Sequence, residues 1–416
     1  MRSDYARSVP MNHNNNKTDL RPWIALAASM GLNLTMGSSY SWSIINKSLV
    51  TDLHWTSVQA SFPYTLYTIF FAATMFFAGR MQDRMGPRKI ATAGGVVLGG
   101  ALAACYFLTD RPLALAVAYG VFGLGNALCF SVTIPASVKW FAPERRGLIT
   151  GLVIGVVGLA AVYCSPLTNW LLRVEGVANT FLVLGVASFC ILLAVSQFMA
   201  NPPPDYRVAP ARGLAASAVV PRGGDVGWPD ILKYAAFRKL WVMFFLSTSA
   251  GLMILTHMAA IAKKQAHWED GFYLVIMFSI FNMGGRMISG FLSDIYGRMN
   301  ILLIVLCMNA INTILFLVYQ DPLSLCWGAA MTGLCYGTYF SLYPLITADF
   351  FGMRNFGGNY GFLFTAWGTA GLLGPLLGGW AIDVMGSYVI AYAVSAALLC
   401  GAIVLTVSMR GHRLSV

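Results

Sequence analysis

The chain has 416 residues, 57% of them hydrophobic and only 10% charged, with a formal net charge of +11. So few charges among so many apolar residues exclude a water-soluble globular protein and point to a polytopic membrane protein. In that setting the positive excess reads as cationic cytoplasmic loops, and a nucleic-acid partner is not expected.

Residues 1–21 form a polar cytoplasmic tail with the run His13-Asn14-Asn15-Asn16-Lys17 and no cleavable signal-peptide pattern. Twelve apolar stretches of about 20 residues, the length a helix needs to cross a bilayer, follow the tail. They cover 22–47, 57–79, 90–109, 112–138, 147–172, 178–199, 239–262, 271–292, 300–319, 322–348, 358–382 and 386–409. Each is predicted helical, because a segment in lipid satisfies its own backbone hydrogen bonds. The segment 200–238 divides six spans from six. It opens Asn201-Pro-Pro-Pro204, is rich in Ala, Pro and Gly, and carries six Lys and Arg residues up to Lys239, so it reads as a flexible cytoplasmic linker. Its last part, Trp228 to Tyr234, reads as a short interfacial helix. The expected organisation is a tail (1–21), an amino-terminal six-helix bundle (22–199), the linker (200–238), a carboxy-terminal six-helix bundle (239–409) and a tail (410–416).

With the amino terminus inside, the inside segments hold 21 of the 27 Lys and Arg residues and the outside loops hold 5. That bias predicts both termini in the cytoplasm. The remaining cation, Arg286, lies deep in the eighth span. All eight cysteines fall in apolar stretches without paired spacing and read as small core residues, not disulfides or metal ligands.

A repeat supports the division into halves. Gly79, Asp83 and Gly86, after the second span, recur 211 residues later as Gly290, Asp294 and Gly297, after the eighth. A duplicated six-helix unit of this kind puts a substrate site near the midplane between its halves. The turn running from Gly79 through Asp83-Arg84, Gly86 and Arg88-Lys89 resembles the signature loop of the major facilitator superfamily, and the likeness covers essentially the whole chain. The implied fold is an all-α membrane protein with twelve transmembrane helices in two pseudo-symmetric six-helix bundles. A narrower likeness is to the oxalate–formate antiporter and monocarboxylate transporter family. It rests on Tyr40-Ser41-Trp42, Lys139-Trp140-Phe141 with Arg145-Arg146-Gly147, Arg173 to Gly176, Ser249 to Met253 with His257, and Asn359-Tyr360-Gly361-Phe362. That family implies alternating-access transport of small carboxylates with an arginine of the eighth helix binding the carboxylate, the position of Arg286. The family's oxalate exchanger carries a lysine eight residues after the Asn of the Asn-Tyr-Gly-Phe motif. Here that position is Trp367, which favours a monoanion over a dianion.

The residues themselves point the same way. Arg286 lies eight residues before Asp294, about 12 Å along a helix at about 1.5 Å per residue. A cation at that depth costs at least about 2.5–3.5 kcal/mol unless it meets a partner, a cavity or a ligand. None of the 16 Asp and Glu residues lies deep in a span, so the expected partner is a substrate carboxylate, which a guanidinium holds in bidentate fashion. His257 is the candidate proton carrier or second carboxylate donor. Tyr40, Phe130, Tyr336 and Trp367 are the favoured lining residues, from a wider set that includes Trp42, Tyr64, Tyr67, Asn126 and Tyr339. Gly79, Asp83, Arg84, Gly86 and Arg88 in the first half, and Asp294 and Arg298 in the second, are expected to contact helix ends and latch one conformational state. The glycine rows of the fifth and eleventh spans suit close helix packing.

The expected activity is secondary transport of small monocarboxylates by proton symport or anion exchange, not enzymatic catalysis, without cofactor or metal. Oxalate–formate-type antiport is the alternative, and a non-transporting carboxylate sensor is a third reading. The expected partners are the carboxylate, protons in the symport case, and the lipid of a bacterial inner membrane. The expected functional unit is a monomer.

Overall fold

The computed structural model describes residues 20–203, 206, 226–227, 229–268 and 271–410, and every regular element among them is a helix. The polar tail expected over 1–21 (apart from its last two residues) and most of the linker expected over 200–238 lie outside the described residues.

The first crossing is α1 (Arg21–Thr35), a 3-10 segment Met36–Ser41, and α2 (Trp42–Thr51). The tightening coincides with a close approach: a Cβ on Gly37 would sit 1.9 Å from that of Ala160. α3 (Ser57–Met85) opens with a capping box, in which the Gln59 N–H donates to the Thr56 hydroxyl and the Thr56 N–H to Gln59. It stops at Gly86, whose φ of +85° a side chain would strain. α4 (Pro87–Ala104) restarts at once with proline at its first position. α5 (Pro112–Val138) returns across the bundle.

α6 (Arg146–Ser196) contains two crossings joined at Gly176, the residue in it with non-helical φ and ψ. The reversal follows from its neighbours on α1: Asn33 donates to the Val153 carbonyl at 2.7 Å, while Gly31 packs on Val195. Residues 153 and 195 therefore stand at one level, and the two arms run antiparallel.

The second half holds α7 (Ala235–Ala266), α8 (Phe272–Tyr296), α9 (Arg298–Leu315), α10 (Pro322–Phe351), α11 (Phe356–Met385) and α12 (Val389–Met409). α9 has the bounds of α4 shifted by 211 residues, and Gly297 (φ +86°) repeats Gly86. Nine helices among the described residues are long and apolar enough to cross a membrane. Counting α6 as two crossings, and adding α10 and the broken first crossing, gives twelve passes. The expected interfacial helix before α7 is a single 3-10 turn, Asp230–Lys233. Four of the cysteines are buried as expected, but Cys190 and Cys400 are exposed.

Within each half the helices pack on one another, and two seams join the halves: α3 against α11 and α6 against α8. Both begin at the end of the molecule that carries the Gly86 and Gly297 turns, called here the turn end. There a Cβ on Gly79 would lie 1.8 Å from the Gly357 carbonyl oxygen, and one on Gly147 would lie 2.1 Å from that of Gly290. The α6–α8 seam continues to Gly158 against Met283, beyond which Leu159 and Ile280 are exposed.

Candidate functional site

Arg286 projects from α8 at the level where the α6–α8 seam leaves the turn end. It is only 6% exposed. Nε donates to Asn282 Oδ1 at 2.7 Å, one helical turn back, and Nη1 donates at 3.0 Å to the carbonyl of Ile154 on α6. The second bond crosses from one half to the other. Neither acceptor carries charge, so among the described residues the guanidinium forms no ion pair. Its Cζ lies over the Phe340 ring, 5.0 Å from the ring centre, a contact worth about 0.5–2 kcal/mol. The carbonyl of Arg286 accepts from Ser341 at 2.7 Å, which fixes α8 to α10 beside the charge.

Phe340 leads from the cation into a cluster of aromatic rings. It packs on Tyr336 (5.2 Å between centroids), Phe364 (6.0 Å) and Trp367 (6.3 Å). Trp367 Nε1 donates to the Tyr336 hydroxyl at 2.8 Å, so two of the four favoured lining residues are bonded to each other. The first half supplies the facing wall: Phe71 reaches Trp367 (6.0 Å) and Phe364 (5.8 Å), and Phe130 reaches Phe364 (5.5 Å) and Phe71 (5.9 Å). Arg286, Phe130, Tyr336 and Trp367 thus share one aromatic cluster at the meeting of the halves. Gly251 makes room for the Tyr336 ring, since a Cβ there would approach it to 2.5 Å.

His257 has other company. Nε2 is 3.0 Å from the Pro375 carbonyl and Nδ1 is 3.4 Å from the Tyr388 hydroxyl, with the ring fitted over Gly378. Both ring nitrogens are engaged by α11 and the start of α12, and the cluster around Arg286 supplies neither contact. Tyr339 accepts from Asn309 inside the second half, and Asn126 donates to the Met36 carbonyl at the 3-10 segment. Tyr64 and Tyr67 stack on each other, and Tyr67 joins Tyr119, which packs on Trp42. The side chain of Tyr40 lies outside the described residues; its backbone belongs to the 3-10 segment.

At the turn end, two carboxylates reach from one half to a helix start in the other. Asp83 Oδ2 accepts from the Gly358 N–H at 2.8 Å, at the first turn of α11, and Oδ1 lies 3.6 Å from Lys139 Nζ. Asp294 accepts from the N–H groups of Gly147 and Leu148, both at 3.0 Å, at the first turn of α6. A carboxylate there satisfies donors the helix leaves open and sits at the favourable end of its dipole. The basic residues grouped with these acids in the sequence reading pair elsewhere. Arg88 donates to Gln197 at 2.8 Å, Arg298 pairs with Asp349 and donates to the Leu345 carbonyl, and Arg84 is exposed.

Asn282, Ile154, Phe71, Phe340 and Phe364 had no part in the sequence reading of the site. Asn282 was reachable, because residues four apart share a helix face. Ile154 acts through its main-chain carbonyl, which no residue type announces.

The sequence matches the family model of the Major Facilitator Superfamily over residues 26–321 and 286–413. The oxalate:formate antiporter of Oxalobacter formigenes is 25% identical over 347 residues, covering 82% of this chain and 80% of that one. Monocarboxylate transporter 13 of Rattus norvegicus is 25% identical over 327 residues, covering 77% of this chain and 72% of that one. The crystal structure of the E. coli fucose:proton symporter FucP matches with a TM-score of 0.73 at 10% identity, over 93% of this chain and 99% of that one. At that identity the match shows a common fold.

Proposed function

The chain belongs to the major facilitator superfamily, and from that premise we propose that it is a secondary transporter of small monocarboxylates such as lactate, pyruvate or formate. The observation that carries this reading is Arg286, a buried guanidinium at the seam of the two halves whose protein partners are neutral. A permanent cation in the membrane interior needs compensation, and a carboxylate supplies both the charge and the paired acceptors that the guanidinium fits. The surrounding rings of Phe340, Phe364, Phe71 and Trp367 suit a short apolar tail. Relatives named for oxalate and formate exchange and for monocarboxylate transport support the substrate class.

One cation favours a monoanion. Trp367 occupies the position of the antiporter family's lysine, and its indole N–H is taken by Tyr336. Exchange of oxalate against formate is the second reading, favoured by the name of the Oxalobacter relative. Transport proceeds by alternating access, as proton symport or as anion exchange. Asp83 and Asp294 serve as clasps that hold the turn end shut, and their release opens it.

Counterflow in proteoliposomes, with a panel of C1–C4 acids and an imposed pH gradient, tests the proposal. The expected result is exchange of monocarboxylates, weak competition by excess oxalate, and loss of uptake in Arg286→Ala and Arg286→Lys at normal membrane abundance. Wild-type uptake by Arg286→Ala would overturn the assignment, and oxalate outcompeting the monocarboxylates would favour the second reading.

A further inference from the structure

Tyr360 lies in the first turns of α11, its ring against Phe356 (6.0 Å) and Phe364 (5.7 Å). It is 1% exposed, and its hydroxyl has no hydrogen-bond partner among the described residues. The buried tyrosines of α10 are treated differently: the Tyr339 hydroxyl accepts from Asn309, and that of Tyr343 is 3.2 Å from the Ser247 hydroxyl. A buried hydroxyl left without a partner is destabilising, so such a group calls for a reason. Its position offers one. Phe364, on which Tyr360 packs, is in contact with Phe340, and Phe340 carries Arg286 on its face. Two rings, Phe364 and Phe340, thus link Tyr360 to the cation.

We propose that Tyr360 is a second ligand of the anion site, its Oη–H donating to the carboxylate that Arg286 holds. The inference rests on the carboxylate reading given above and adds a residue to it. A phenol is a neutral donor. It strengthens the grip on a carboxylate through a charge-assisted hydrogen bond while leaving the site with a single positive charge. The phenol fills a lone pair that the bidentate guanidinium leaves open on the carboxylate, without adding a second positive charge. The hydroxyl therefore contributes to affinity.

The test compares Tyr360→Phe with Tyr339→Phe in purified, full-length protein. Both changes delete one buried hydroxyl and keep the ring. In proteoliposomes, Tyr360→Phe should raise KM for formate and lactate about tenfold, the loss of one hydrogen bond to a charged group, with kcat within about twofold of wild type. Thermal unfolding without substrate should show Tyr360→Phe as stable as wild type or more so, because the lost group had no protein partner. Tyr339→Phe should keep the wild-type KM and unfold at lower temperature, because its loss strands Asn309. A wild-type KM in Tyr360→Phe overturns the proposal, as does a raised KM accompanied by lowered stability, or an equal rise of KM in both variants. If the wild-type protein exchanges no C1–C4 carboxylate, the substrate reading itself fails and this proposal falls with it.

Discussion

Asn282 positions the guanidinium of Arg286 without neutralising it. It holds Nε at 2.7 Å and orients the guanidinium, but as an amide it cancels none of the charge. An aspartate at the same place would form an ion pair inside the protein and compete with any bound anion. Asn282→Asp should therefore raise KM for monocarboxylates at neutral pH by at least about tenfold, since a close buried pair is worth several times the thermal energy. Initial rates against substrate concentration measure this, and an unchanged KM would mean that the amide does not govern the charge balance. The sequence made the cation legible because a charge in an apolar span is conspicuous, and Asn282 was within reach by spacing. The bond to Ile154 was not legible: it joins residues 132 positions apart through a backbone carbonyl. His257 was equally conspicuous, but its surroundings were not, since Pro375 and Tyr388 come from two other helices.

The two carboxylate contacts between the halves join a helix end to a helix start. α3 ends in the carboxylate that caps α11, and α8 ends in the one that caps α6. Each places a negative charge at a helix start, which is worth up to about 2 kcal/mol in partly buried geometry. Asp83→Asn keeps an acceptor but removes the charge and its attraction to Lys139, so the turn end should open more often. Gly147→Val should act more strongly, because even a Cβ would collide with the Gly290 carbonyl. Labelling of a cysteine placed at Phe130, which is buried where the halves meet, by an impermeant maleimide applied from the turn side should rise in both variants, most in Gly147→Val. Equal labelling in wild type and both variants would show that neither contact holds that end closed. Helix number and the 211-residue repeat were legible, because apolar length and Gly-x-x-x-Asp spacing are local properties. The partners of Asp83 and Asp294 were less so. The expectation of helix-end contacts came from the repeat, but which helix start each acid meets depends on how the halves dock. The 3-10 break at Met36–Ser41 left no apolar gap to read, and it coincides with the tight meeting of Gly37 and Ala160.

Orientation is a property of the whole molecule. The excess of Lys and Arg in alternate loops supports cytoplasmic termini and a cytoplasmic turn end. In that orientation the structure is closed toward the cytoplasm. Alkaline phosphatase fused after Val416 should be inactive in intact cells, and a fluorescent protein at the same point should be bright; the reverse pattern would invert the topology. The inter-half seam has one more consequence. Its tightest approaches set backbone against backbone, at Gly79 with Gly357 and at Gly147 with Gly290. Parting such surfaces frees few side-chain rotamers and wets little hydrocarbon. Opening should therefore carry a small activation heat capacity, and its rate should follow a nearly straight Arrhenius line where a joint of interlocked leucines would give a curved one.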